Sequence, residues 1–119
     1  PAGALSRGQF QRALFARLMV QEAPVILLDE PFTAVDDKTR AALLAIVHRW
    51  HDDGRTIIAV LHDYALIREN FPDTLLLARE CLDWGPTANV LCPENLNRAR
   101  LMAQAWTADA PVCIRVDAA

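Results

Sequence analysis

The sequence predicts an α/β fold with parallel core strands. Two short apolar runs and the segment between them carry that prediction. The first, Val25 to Asp29 (VILLD), is framed by Pro24 and Pro31 and has the length and composition of a strand buried on both faces. The second, Thr56 to Leu61 (TIIAVL), has the same character. Between them, Lys38 to about Asp52 places Leu43, Leu44, Ile46, Val47 and Trp50 on or near one helical stripe. A strand, a crossover helix and a second strand in this order make the two strands parallel and the connection right-handed.

The other elements follow from local chemistry. Residues 1–5 read as the end of a loop. Ser6 to about Val20 reads as a helix, with Phe10, Leu14 and Leu18 at helical spacing. Ser6 and Gln9 form an S-x-x-Q capping box at its start. Thr33 to Asp37 is a polar turn, and Asp53-Gly54 ends the crossover helix. His62 stands at the end of the second strand, and Asp63 can cap a short helix that reaches about Asn70. Phe71-Pro72-Asp73 breaks that helix. Thr74 to Ala78 is a third strand, and Cys81 to Trp84 an edge strand before a Gly85-Pro86 turn. Pro93 fits the first position of a last helix that runs to about Trp106. The expected organisation is one domain over residues 1–106 and a disordered tail over residues 107–119.

Composition bounds the function classes. The 119 residues are 53% hydrophobic and 23% charged, enough apolar material for a core. A net charge of −3 gives no electrostatic support for binding free nucleic acid or an anionic membrane. No apolar stretch is long enough to span a bilayer. The chain begins at Pro1 rather than Met, which leaves a lost N-terminus open. Cys81, Cys92 and Cys113 lack CxxC spacing and read as free thiols of a reducing compartment.

Parallel strands share one carboxyl edge, where open α/β sheets bind ligands. Asp29, Glu30 and His62 are therefore expected to point into one crevice. Two adjacent carboxylates at the end of a strand buried on both faces are costly unless a cation or a reacting group uses them. That points to metal-assisted chemistry. At the other candidate site, Ser6 and Gly8 open a helix whose free N–H groups and positive dipole end favour an anion. Gly8 would let a phosphate approach the backbone closely. His48 and His51 lie on the crossover helix and receive no role.

Four segments, in order, resemble the motifs of ATP-binding-cassette (ABC) ATPases. LSRGQFQRALFARLM (Leu5 to Met19) resembles the signature motif and its helix, and VILLDEP (Val25 to Pro31) the Walker B strand with its catalytic glutamate. TAVD (Thr33 to Asp36) resembles the D-loop, and VLHD (Val60 to Asp63) the switch-histidine loop. The resemblance extends from about Ala4 to about Met102. It implies the C-terminal part of a nucleotide-binding domain, a partial P-loop NTPase (RecA-like) three-layer fold plus the signature helix.

The resemblance also implies roles. Asp29 would support the Mg²⁺ of Mg-ATP, Glu30 would polarise the attacking water, and His62 would contact the γ-phosphate. Ser6, Gly8 and Gln9 would contact the γ-phosphate of ATP held by the opposite subunit. Asp36 would communicate between the two sites of a dimer, although an acid at a helix start also has a purely structural use. Arg7 departs from the commonest LSGGQ pattern. Gln11, Arg12 and Arg17 match the family helix and read as structural or subunit-facing.

DEPFTAVD, the HD-x-x-x-I/V-R-x-x-F-P pattern at His62 to Pro72, TLLLARE and WGPTANVL-x-PENL resemble the subgroup that energises zinc or manganese uptake. That subgroup implies a second nucleotide-binding subunit as homodimer partner, a membrane permease, a substrate-binding protein and no nucleic acid. It also implies a peripheral position on the cytoplasmic membrane face. The alternatives are a non-transport ABC ATPase of the DNA-repair or chromosome class, or an inactive truncated half-site. No G-x-x-x-x-G-K-[ST] occurs in the sequence. The expectation is therefore a fragment, inactive alone, with a gap in the sheet between the Thr56–Leu61 and Thr74–Ala78 strands.

Overall fold

Ser6 starts the first helix as its capping box requires. The Gln9 N–H donates to Ser6 Oγ at 3.2 Å, and the Ser6 N–H donates to Gln9 Oε1 at 3.0 Å. The computed structural model describes residues 6–109. In chain order the elements are α1 (Arg7–Gln21), β1 (Val25–Asp29), α2 (Asp37–Asp52), β2 (Thr56–Val60) and α3 (Tyr64–Asn70). They continue with β3 (Asp73–Ala78), β4 (Glu80–Pro86), α4 (Thr87–Val90) and α5 (Pro93–Asp109). Two compact units result, one ending at Asp63 and one starting at Tyr64.

In the first unit, β1 and β2 are parallel, from Val25 opposite Thr56 to Asp29 opposite Val60. The Thr56 N–H donates to the Pro24 carbonyl at 2.8 Å, and the Glu30 N–H donates to the Val60 carbonyl at 2.9 Å. The ladder thus continues past each end of β1. The core gathers Ile26 and Leu28 of β1 with Leu43, Val47 and Trp50 of α2, all buried. The Phe15 ring of α1 stacks on Trp50, with centroids 5.4 Å apart and planes 15° from parallel.

Two expectations about this unit need correction. The strands are not buried on both faces. Val25, Leu27, Ile58 and Val60 form an apolar face that is at least half exposed, with Leu27 at 71%. The crossover helix covers one face of a strand pair, and α1 packs against α2. Nor is the α1 stripe of Phe10 and Leu14 buried; both are exposed, and Phe15 is the buried residue of that helix.

In the second unit, β3 and β4 form an antiparallel pair, with Leu75 opposite Trp84 and an irregularity between Leu76 and Leu77. Arg79 turns the chain between them at φ 61°. Buried Thr87 ties the unit together. Its hydroxyl donates to the Phe71 carbonyl at 2.6 Å and lies 2.8 Å from the Thr74 hydroxyl. Buried Asn95 donates to Asp83 Oδ2 at 2.9 Å and to the Val90 carbonyl at 3.0 Å. Leu75, Leu77 and Trp84 are exposed. The short α4 was not anticipated, because four residues carry no period to read. α5 continues past the expected end near Trp106; residues 110–119 of the expected tail lie outside the described residues. β1 pairs with β2 and β3 with β4, in two separate sheets. No ladder joins β2 to β3 among the described residues.

Candidate functional site

The carboxyl ends of β1 and β2 bring the hydrolytic candidates together. Asp29 is the last residue of β1, exposed and opposite Val60. Glu30 follows in the left-handed region at φ 47°, its N–H held by the Val60 carbonyl. Leaving the strand in this conformation turns the chain at once, so Glu30 is not a continuation of β1. His62 lies just beyond β2, and its Nε2 meets Glu30 Oε1 directly. The side chains are accessible, 78% for His62 and 39% for Glu30. The desolvation argument for two acids at a doubly buried strand end therefore does not hold here. The open sheet face leaves Asp29 in solvent, and only Glu30 and His62 meet. An accessible carboxylate against an imidazole can take a proton from water while the imidazole donates to an anion.

A second cluster forms where the start of α1 meets the start of α2. A recess of about 450 Å³ is lined by Ser6, Gly8, Gln9 and Arg12 on one side and by Ala34, Asp36 and Thr39 on the other. Asp36 is the N-cap of α2, with Oδ2 accepting from the Thr39 N–H at 3.2 Å. Hydrogen bonding from Thr39, first from its side chain and then from its N–H, holds the Asp36 carboxyl below its ordinary value of 3.8. The Arg12 charge adds to this, and desolvation acts against it. Arg12 Nη2 donates to Thr39 Oγ1 at 3.3 Å. A Cβ on Gly8 would lie 3.6 Å from Thr39 and 3.7 Å from Asp36 Oδ1, an ordinary contact distance.

Ser6, Gly8, Gln9 and Asp36 thus share one recess, and Asp29, Glu30 and His62 do not line it. Sequence reasoning missed Thr39, which is buried. The signal was present, because a hydroxyl three residues after an aspartate N-cap occupies the position whose N–H the cap receives. It also left Arg12 without a partner. Among the described residues, no group of three or more His, Cys, Asp and Glu side chains could hold a metal ion. Cys81 and Cys92 are free thiols, and Cys113 lies outside the described residues.

The chain matches part of the ATP-binding proteins of ABC transporters, in sequence and in its α/β fold. No family model matches the chain. Its homologues are ATP-binding proteins of manganese and other metal transport systems. It is 45% identical over 94 residues to the manganese transport system ATP-binding protein MntA of Synechocystis, covering 79% of this chain and 36% of that protein. It is 37% identical over 94 residues to the corresponding protein MntB of Bacillus subtilis, covering 79% of this chain and 38% of that one. A solved metal-chelate type ABC transporter in an inward-facing conformation superposes with a TM-score of 0.75 at 31% identity, over 84% of this chain and 40% of that one. The chain spans about two fifths of the length of the curated relatives it matches. Among the described residues, no helix is long and apolar enough to cross a membrane.

Proposed function

We propose that this chain is the hydrolytic portion of the ATP-binding subunit of an ABC transporter that takes up manganese, zinc or a related metal ion. The observation that carries the reading is the contact of Glu30 with His62 at the aligned carboxyl ends of two parallel strands. In this reading Glu30 accepts the proton of the attacking water, and His62 donates to a γ-phosphate oxygen. Asp29 is an exposed carboxylate at a strand end. That fits Mg²⁺, which takes one or two carboxylates and fills its other positions with phosphate oxygens and waters. Asp29 would hold the ion through its carboxylate, and the bound ion would offset phosphate charge.

Ser6, Gly8 and Gln9 serve the ATP of a second, identical subunit. Two observations support this: the capped, exposed start of α1, and its separation from Glu30 and His62 into its own recess. The relatives support a membrane permease as partner and, with it, a substrate-binding protein and a place on the cytoplasmic membrane face. The phosphate cradle comes from residues outside this sequence, so these residues alone do not hydrolyse ATP. The decisive experiment places this sequence in the full-length subunit with its phosphate loop and measures ATP hydrolysis for wild type and Glu30→Gln. A fall of about 10²-fold or more is expected for loss of a positioned base. Unchanged hydrolysis would show that Glu30 does not have this role.

A further inference from the structure

α1 is joined to α2 at two places. Phe15 stacks on Trp50 in the last turn of α2. Arg12, one turn past the signature residues, donates to Thr39 in the first turn of α2 at 3.3 Å. A helix held only at Phe15 could still pivot, and its N-terminus would swing. The second attachment removes that freedom near the end that presents Ser6 and Gly8. Thr39 is only 4% exposed, and two of its groups are engaged: its N–H by Asp36 Oδ2 at 3.2 Å and its hydroxyl by Arg12. Gly8 runs close enough that an added Cβ would touch Thr39 at 3.6 Å. One buried side chain thus links the Asp36 cap, the Arg12 guanidinium and the signature backbone.

We propose that Arg12 and Thr39 are positioning residues that hold the start of α1 in fixed register with the Asp36 loop of the same subunit. This rests on the ATPase reading above. A displacement at Asp36 then moves Thr39, and through Arg12 it moves the helix start that meets the other subunit's ATP. Arg12 and Thr39 line a recess that Asp29, Glu30 and His62 do not, so the pair acts on turnover and not on ATP capture.

The test uses the full-length subunit in its assembled transporter, with Thr39→Val, Thr39→Ser, Arg12→Met and the Thr39→Val/Arg12→Met double variant. Thr39→Val keeps the shape and removes the hydroxyl, and Thr39→Ser keeps the hydroxyl. Misplacing a binding group by a fraction of an ångström predicts kcat down about tenfold for Thr39→Val, with KM for ATP within about twofold and Thr39→Ser near wild type. The double variant should be no slower than the worse single one, because both break the Arg12–Thr39 hydrogen bond. If Thr39→Val does not fold, Arg12→Met carries the same kcat and KM comparison, since the Arg12 side chain is exposed. The proposal is overturned if kcat stays within twofold of wild type while Glu30→Gln still abolishes hydrolysis. It is also overturned if Thr39→Ser is as slow as Thr39→Val. Should Glu30→Gln retain full hydrolysis, the ATPase reading fails first, and the two failures are separate.

Discussion

At the residue scale, Glu30 and Ala34 hold left-handed backbones at φ 47° and 56° within five positions. Such non-glycine conformations cost roughly 1–3 kcal/mol each when the surroundings impose them. Here the Val60 carbonyl holds the Glu30 N–H, which fixes the carboxylate toward His62. Gly8 separates binding from folding. Since a Cβ there meets Thr39 at 3.6 Å without a clash, Gly8→Ala should leave the melting temperature unchanged. If Gly8 contacts phosphate as proposed, hydrolysis in the full-length subunit should nevertheless fall, because the methyl group would occupy that approach; equal loss of both would make Gly8 a packing residue. Asp36 carries a pH dependence. Its folded carboxyl is held below 3.8, so the unfolded chain takes up its proton first as pH falls. The charge therefore stabilises the fold above that value and ceases to do so as pH falls through the folded value. Thermal melting of wild type and Asp36→Asn should differ at pH 6 and converge in acid, as pH falls below the ordinary carboxylate value and through the lower folded one. A constant difference would place the effect elsewhere. The positions of Asp29 and Glu30 at a strand end and of Asp36 at a helix start were legible from the sequence, because apolar runs and caps are local signals. Thr39 was not, because its role depends on Arg12 reaching it from another helix.

At the element scale, capping chemistry was the most reliable guide. The Ser6 box and the Asp53-Gly54 end placed α1 and α2 to within a residue or two, since a cap is decided by a few adjacent side chains. Periodicity was less decisive for α1. Phe10 and Leu14 have helical spacing yet are exposed, while Phe15 is buried because Trp50 offers it a flat partner. Phe15→Ala removes that stack and leaves a cavity in a close-packed site. Denaturant unfolding should show a loss of about 3–5 kcal/mol. Phe10→Ala, on an exposed position of the same helix, should cost less than about 1 kcal/mol. If the two variants lose the same amount, the Phe15–Trp50 contact is not what attaches α1.

For the molecule as a whole, the open faces dominate. Val25, Leu27, Ile58 and Val60 line one side of β1 and β2, and Leu75, Leu77 and Trp84 lie exposed on β3 and β4. Apolar strand surface left uncovered associates with whatever matches it. These residues, expressed alone, should self-associate at tens of micromolar, as read by sedimentation velocity, on the general behaviour of such faces. Leu27→Lys with Ile58→Lys should shift the population toward monomer without lowering the melting temperature, because neither side chain is buried. A wild-type monomer at that concentration would contradict the expectation.

The sequence by itself determined the order of the elements other than α4, the parallel pairing of β1 with β2, and the identity of the acids and the histidine at their ends. Those follow from short-range rules: apolar runs, caps, and the handedness of a crossover. Only the tertiary structure decided which strand face is covered, that Glu30 meets His62 while Asp29 faces solvent, and that Thr39 links Arg12 to Asp36. These outcomes depend on packing between segments far apart in sequence, where burial and side-chain direction are set by what actually lies alongside.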